Sequence, residues 1–201
     1  MNLDPFYLIV DSSRWIERLV PLGLRLVQLR IKDKAEGTLR AEIRRAQELC
    51  AIGGCQLIIN DYWQLAIDEG CDFIHLGHED LADADMRAIR AAGLKLGIST
   101  HDDGELQTAL KYDPDYIALG PVYPTILKRM KWAPQGLDRI MEWKRRIGPI
   151  PLVAIGGLNI DRLKGVFDAG AQSAAVVTDI TLNAEPEART RAWIESTQPW
   201  R

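Results

Sequence analysis

Two rhythms alternate along the chain. Eight short strand-like runs, Phe6 to Asp11, Leu26 to Lys32, Gln56 to Asp61, Phe73 to His78, Lys95 to Thr100, Tyr116 to Tyr123, Pro151 to Gly157 and Ser173 to Asp179, recur at similar intervals with amphipathic stretches between them. In one such stretch Leu39, Ile43, Ala46 and Cys50 fall on one helical face, which predicts a helix with a buried stripe, Thr38 as its cap and Gly53-Gly54 at its end. A later stretch, Arg162 to Ala169, groups Leu163, Val166 and Phe167 and closes at Gly170. Alternating β and α elements imply a parallel sheet with right-handed crossovers, and eight units favour closure into a single (β/α)8 TIM barrel over an open doubly wound sheet. At 201 residues the chain is short for that fold, so compact connections are expected and the segment from Pro121 to Pro134 stands out as the long loop. No linker or low-complexity tract interrupts the rhythm, which predicts one barrel domain over residues 1–201 with its active site at the C-terminal strand ends.

Composition narrows the classes of partner. With 47% hydrophobic and 26% charged residues the chain is an ordinary globular sequence, and a formal charge of −3 gives no overall attraction for nucleic acid. Any anion site must be a local basic cluster. The start Met1-Asn2-Leu3-Asp4-Pro5 lacks the cationic flank of a signal peptide, and no apolar run approaches the roughly 20 residues of a membrane helix. A cytoplasmic protein without membrane or nucleic-acid partners is expected, with a homodimer as the candidate assembly. Cys50, Cys55 and Cys71 lack Cys-x-x-Cys spacing and read as free thiols of a reducing compartment. His75 and His78 would point to opposite faces of a strand, so a lumen-facing His75 with a structural role is expected and a shared metal is not.

The chemistry begins in Leu26 to Lys32, where alternation puts Gln28, Arg30 and Lys32 on one face and Val27, Leu29 and Ile31 on the other. A strand apolar outside and cationic inside suits a barrel opening onto an anion such as phosphate, because unpaired buried cations are costly. Other strand ends add Asn60-Asp61, Glu79-Asp80, Ser99-Thr100, Thr125 and Lys128 to the same rim. Read singly, Asp61 is a helix cap and Asp80 a loop charge. After neighbouring strands, beside Asn60 and the cations, they read as a pair that holds Mg2+, which takes one or two carboxylates together with substrate phosphate. A second anion seat is expected where Ile155-Gly156-Gly157 and Val176-Val177-Thr178 end the last two strands, with glycines letting backbone N–H groups approach a phosphate. Two phosphorylated substrates then meet between the seats. No Ser-His-Asp or Cys-His set is legible, so diphosphate as an electrostatically stabilised leaving group is the expected chemistry.

The motifs Gln28-Leu29-Arg30-Ile31-Lys32, Ile59-Asn60-Asp61, His75-Leu76-Gly77-His78-Glu79-Asp80, Gly97-Ile98-Ser99-Thr100-His101, Gly120-Pro121-Val122-Tyr123-Pro124-Thr125, Ala154-Ile155-Gly156-Gly157 and Val176-Val177-Thr178 resemble those of thiamine phosphate synthases. The resemblance spans nearly the whole chain. It implies a transferase of thiamine biosynthesis that joins a pyrimidine diphosphate to a thiazole phosphate, with or without a carboxylate on the thiazole, and releases diphosphate. By resemblance the segment from Gln28 through Leu29, Arg30, Ile31 and Lys32, with Asn60, Ser99 and Lys128, binds the pyrimidine diphosphate. Arg30, Lys32, Ser99 and Lys128 carry catalysis, and Asp61 and Asp80 hold magnesium. Thr125, Ile126, Leu127, Gly157, Val177 and Thr178 hold the thiazole phosphate. In the family the carbon–oxygen bond to diphosphate breaks early, and the thiazole nitrogen captures the resulting pyrimidine-methylene cation.

Four positions depart from the family's common pattern: Leu127 stands for a second threonine, His78 for glutamine, Ile31 for glutamate and Thr178 for serine. The first removes a hydroxyl contact to the thiazole substrate. The basic run Lys128-Arg129-Met130-Lys131-Trp132 is expected to act as a lid, with Trp132 over the site. Alternatives are a thiazole tautomerase, a Schiff-base aldolase using Lys32, and a non-catalytic thiazole-phosphate-binding paralogue. The tautomerase has a histidine where this chain has Pro121 after Gly120, and it would leave Arg30, Asp61 and Asp80 without a task.

Overall fold

A computed structural model describes residues 3–125 and 132–201. Eight parallel strands, β1 (Phe6–Val10), β2 (Leu26–Leu29), β3 (Gln56–Asn60), β4 (Phe73–Leu76), β5 (Lys95–Thr100), β6 (Tyr116–Leu119), β7 (Leu152–Ile155) and β8 (Ser173–Val176), pair in chain order and close into a barrel. The closing pair is β1 with β8, in register Tyr7 to Ala175. Helices α1 (Ser13–Leu19), α2 (Glu36–Gly53), α3 (Trp63–Asp68), α4 (Met86–Ala91), α5 (Asp103–Leu110), α6 (Gly136–Ile147), α7 (Leu163–Asp168), α8 (Thr178–Thr181) and α9 (Pro186–Ser196) follow the strands. The expected TIM barrel is present, and among the described residues no helix is long and apolar enough to cross a membrane.

Strand parity separates two cores. Alternate residues such as Leu8, Val27, Leu29, Ile59 and Leu96 face outward and join the helices in one large cluster. The opposite set, including Tyr7, Ile9, Leu26, Ile58, Phe73 and Tyr116, fills the lumen. Helix α2 buries Leu39, Ile43, Ala46 and Cys50, the stripe its spacing predicts. It ends where Gly54 turns left-handed at φ 62°. Its beginning differs from expectation: Ala35 is the N-cap and Thr38 lies within the first turn, because the helix already starts at Glu36. In α7 the predicted trio Leu163, Val166 and Phe167 is buried.

Seven of the expected strand runs overshoot the hydrogen-bonded strands, which end one to four residues sooner. β6 stops at Leu119 because Gly120 and Pro121 follow and a proline has no N–H for the ladder. The overhanging residues form the rim. The three cysteines are free thiols, with Cys50 and Cys55 buried and Cys71 half-buried.

Candidate active site

A cavity of about 840 Å³ opens at the C-terminal ends of the strands. Arg30, Lys32, Asn60, Asp61, Asp80, Ser99, Thr125, Gly157, Val177 and Thr178 all line it, so ten expected site residues from separate parts of the chain meet in one space. Ile126, Leu127 and Lys128 lie outside the described residues, as does the basic run Arg129 to Lys131. Trp132 lines the cavity and stacks on His101 with ring centroids 4.0 Å apart, and its indole N–H points to Asp102 Oδ2 at 3.4 Å.

Three expected site residues, Gln28, Leu29 and Ile31, are not among those that line the cavity. The Leu29 and Ile31 side chains face the outer core with 2% and 5% of their surface exposed, because alternation that aims Arg30 into the barrel aims its neighbours out. Gln28 faces inward as expected but lies beneath the cavity, buried, and its amide donates to Tyr7 Oη at 2.7 Å.

On the charged side of the cavity, Arg30 follows β2 and its backbone N–H still donates to Val10 O at 2.8 Å, which carries strand parity to the rim. The Lys32 ammonium forms an ion pair with Asp61. Asp61 has φ 65°, a left-handed conformation that aspartate tolerates better than most residues. Tyr62, not Asp61, is the N-cap of α3, so the helix-cap reading of Asp61 does not hold. Asp80 accepts from the Gly77 N–H at 3.1 Å. Burial, and next the adjoining Asp61 carboxylate within hydrogen-bond reach, raise the Asp80 carboxyl above its ordinary value, while Lys32 and the Gly77 N–H pull it down.

Two crowded carboxylates with oxygen donors only are a fit for magnesium, since a divalent ion offsets both the burial and the Asp61 repulsion that raise Asp80. Among the described residues no cluster of three or more acidic, His or Cys ligands exists. Mg2+ would therefore take its remaining ligands from water and phosphate. Asn60 is 4% exposed and its Nδ2 has no hydrogen-bond partner among the described residues. A buried amide donor costs about 1–3 kcal/mol when unpaired, so its place in the cavity wall marks a position for an acceptor atom. His78 Nδ1 is a second orphan there, and both His75 and His78 line the cavity although only His75 lies within a strand.

The opposite side carries no side-chain cation on the cavity wall among the described residues. Gly156 and Gly157 have φ of 101° and 65°, and a Cβ on Gly157 would lie 2.3 Å from Pro124 O. These glycines are needed for packing of the segment after β6 against the end of β7, a reason beyond ligand approach. Arg162 braces the turn by donating to Gly157 O and stacking over the Tyr123 ring at 4.4 Å. Thr178 begins α8.

Beneath the rim runs a buried polar chain that the sequence reading did not contain. Tyr7 Oη lies 3.0 Å from Tyr116 Oη, Tyr116 Oη 2.6 Å from His75 Nδ1, and His75 Nε2 2.8 Å from Ser99 Oγ. Gly97 makes it possible, because a Cβ there would sit 2.1 Å from Tyr116 Cζ. Burial pushes the His75 imidazole down to about 4, against an opposite pull from Asp61. It raises both phenols. A signal existed in the sequence: Tyr7 and Tyr116 share lumen parity with Gln28, His75 and Ser99.

A closed eight-stranded barrel whose strand ends gather carboxylates, two cations and a glycine turn in one cavity has the architecture of a (β/α)8-barrel enzyme. Comparison with known proteins makes this more specific. A family model described as thiamine monophosphate synthase matches residues 6–180. A thiamine-phosphate synthase of Rhizobium etli is 70% identical over 201 residues, covering 100% of this chain and 98% of the relative. Another, from Enterobacter sp., is 47% identical over 184 residues, 92% of this chain and 87% of that one. In fold, the chain is similar to a thiamine phosphate pyrophosphorylase from Pyrococcus furiosus, with a TM-score of 0.87 at 23% identity over 98% of this chain and 96% of that one. The chain belongs to the thiamine-phosphate synthase family, and it is an enzyme of that type in thiamine biosynthesis.

Proposed function

We propose that the chain condenses a pyrimidine diphosphate with a thiazole phosphate, in the presence of Mg2+, to form thiamine phosphate and diphosphate. The observation that carries this reading is the single cavity in which an orphaned Asn60 donor, Arg30, Lys32 and the Asp61–Asp80 pair face the glycine turn at Gly157. Arg30, Lys32, Asn60 and Ser99, with Lys128 from the loop, bind the pyrimidine diphosphate. Thr125, Gly157, Val177 and Thr178, with Ile126 and Leu127, receive the thiazole phosphate. Asp61 and Asp80 hold Mg2+, which when bound supplies positive charge to the departing diphosphate.

The residues of the chain then divide the work. Arg30 and Lys32 stabilise charge that grows on diphosphate as the carbon–oxygen bond breaks. Asn60 satisfies its free N–H on an oxygen of the ligand. The walls limit water near the cation that bond breaking creates. The thiazole nitrogen attacks that carbon, so no side chain has to serve as nucleophile. Lys32 is 46% exposed and ion-paired with Asp61, an arrangement unlike the desolvated lysine of a Schiff-base aldolase. We place the enzyme in the cytoplasm, a setting consistent with its free thiols.

The test is Asp61→Ala and Asp80→Ala, each assayed with both substrates and magnesium. Product formation is expected to fall at least about a hundredfold with circular dichroism unchanged. Wild-type rates in a folded variant would refute the metal assignment.

A further inference from the structure

We infer that His75 is a positioning residue held as the Nε2–H tautomer, through which a buried hydrogen-bond chain starting at Gln28 turns the Ser99 hydroxyl proton toward the cavity. This deepens the proposed function, resting on its reading that Ser99 meets the pyrimidine diphosphate. The direction of the chain follows from counting donors. The Gln28 amide nitrogen can only donate, and it donates to Tyr7 Oη at 2.7 Å. Tyr7 has one proton, which is left for Tyr116 Oη at 3.0 Å. Tyr116 in turn directs its proton to His75 Nδ1 at 2.6 Å. An imidazole that accepts at Nδ1 while neutral carries its proton on Nε2, and that N–H donates to Ser99 Oγ at 2.8 Å.

Ser99 therefore receives a hydrogen bond from below, and its own proton remains for an acceptor in the cavity it lines. The reverse polarity would require Gln28 to present its carbonyl oxygen to Tyr7, or would leave the proton of the buried Tyr7 without an acceptor among the described residues. It would also turn the Ser99 proton inward and leave only lone pairs toward an anionic ligand. Four partners from β1, β2, β4 and β6 thus orient one hydroxyl on β5. The stacking of His75 on Tyr116, with ring planes 16° apart, fixes the imidazole plane as well.

The experiment is side-chain 15N NMR of the full-length protein, in which the signals of His75 among the three histidines are identified by their loss in His75→Gln. The wild type is expected to show a protonated Nε2 and a bare Nδ1, and Tyr116→Phe to replace this single tautomer by a mixture. Steady-state kinetics give an independent readout. His75→Leu is expected to lower kcat about tenfold, the worth of one misdirected hydrogen bond, with the KM for thiazole phosphate unchanged. His75→Gln keeps an N–H donor toward Ser99 and is expected to recover most of the loss. A wild-type Nδ1–H tautomer, or a folded His75→Leu enzyme with wild-type kcat, would overturn the inference. If the wild type releases no diphosphate from the two substrates, the functional reading falls, while the tautomer still decides the polarity of the chain.

Discussion

The buried imidazole of His75 makes the stability of this barrel depend on pH, and the size of the effect follows from its environment. In the unfolded chain the group titrates near 6.5, whereas burial in the lumen pushes it down to about 4. Between those values the unfolded chain binds the extra proton and the folded chain does not, so stability falls as pH drops through this window and rises as pH increases. The full gap corresponds to about 3 kcal/mol at a pH below both values. Moving from about pH 7 to about pH 5 is expected to cost about 2 kcal/mol from this group alone. His75→Gln removes the titration and isolates the contribution from those of other groups. Urea unfolding of both proteins at the two pH values measures it: the wild type loses about 2 kcal/mol more than the variant. Parallel pH dependence in the two proteins would refute the burial argument, because an imidazole open to water would titrate alike in both states.

Three further substitutions probe other parts of the account. Gly157→Ala places a Cβ 2.3 Å from Pro124 O at a left-handed φ, so a loss of about 1–3 kcal/mol in denaturant unfolding and a raised KM for thiazole phosphate are expected. Asp80→Asn removes a like-charge contact, so the metal-free variant is expected to be at least as stable as the wild type, while magnesium should no longer raise its melting temperature. Trp143→Phe deletes the 2.9 Å bond from the buried indole to Thr100 Oγ1, and a loss of about 1–2 kcal/mol should appear by calorimetry.

Much of this architecture is legible in the sequence, because two independent periodicities carry it. The buried face of α2 and the eight strands follow from spacing alone, and barrel closure follows from their number and alternation. Strand ends were less legible: polar alternation continues through Arg30 and Lys32 after the β2 ladder has stopped, so the pattern does not mark where pairing ends. The family resemblance groups Leu29 and Ile31 with the site as part of the motif from Gln28 to Lys32, although parity sends their side chains to the outer core. The polar chain under the rim was hidden for a different reason. Tyr7 and Tyr116 are 109 positions apart, and only barrel register brings their hydroxyls together. Gln28 shows both effects, since its inward direction was readable but its depth below the cavity was not.

The central claim is that separated strand ends jointly stabilise a departing diphosphate. Its most direct test is to mix the wild-type protein with both phosphorylated halves, with and without magnesium, and to quantify thiamine phosphate and diphosphate together. Equal amounts of the two products, formed only when magnesium and both halves are present, are the predicted result. Undiminished product without magnesium, or binding of both halves with no diphosphate released, would contradict it.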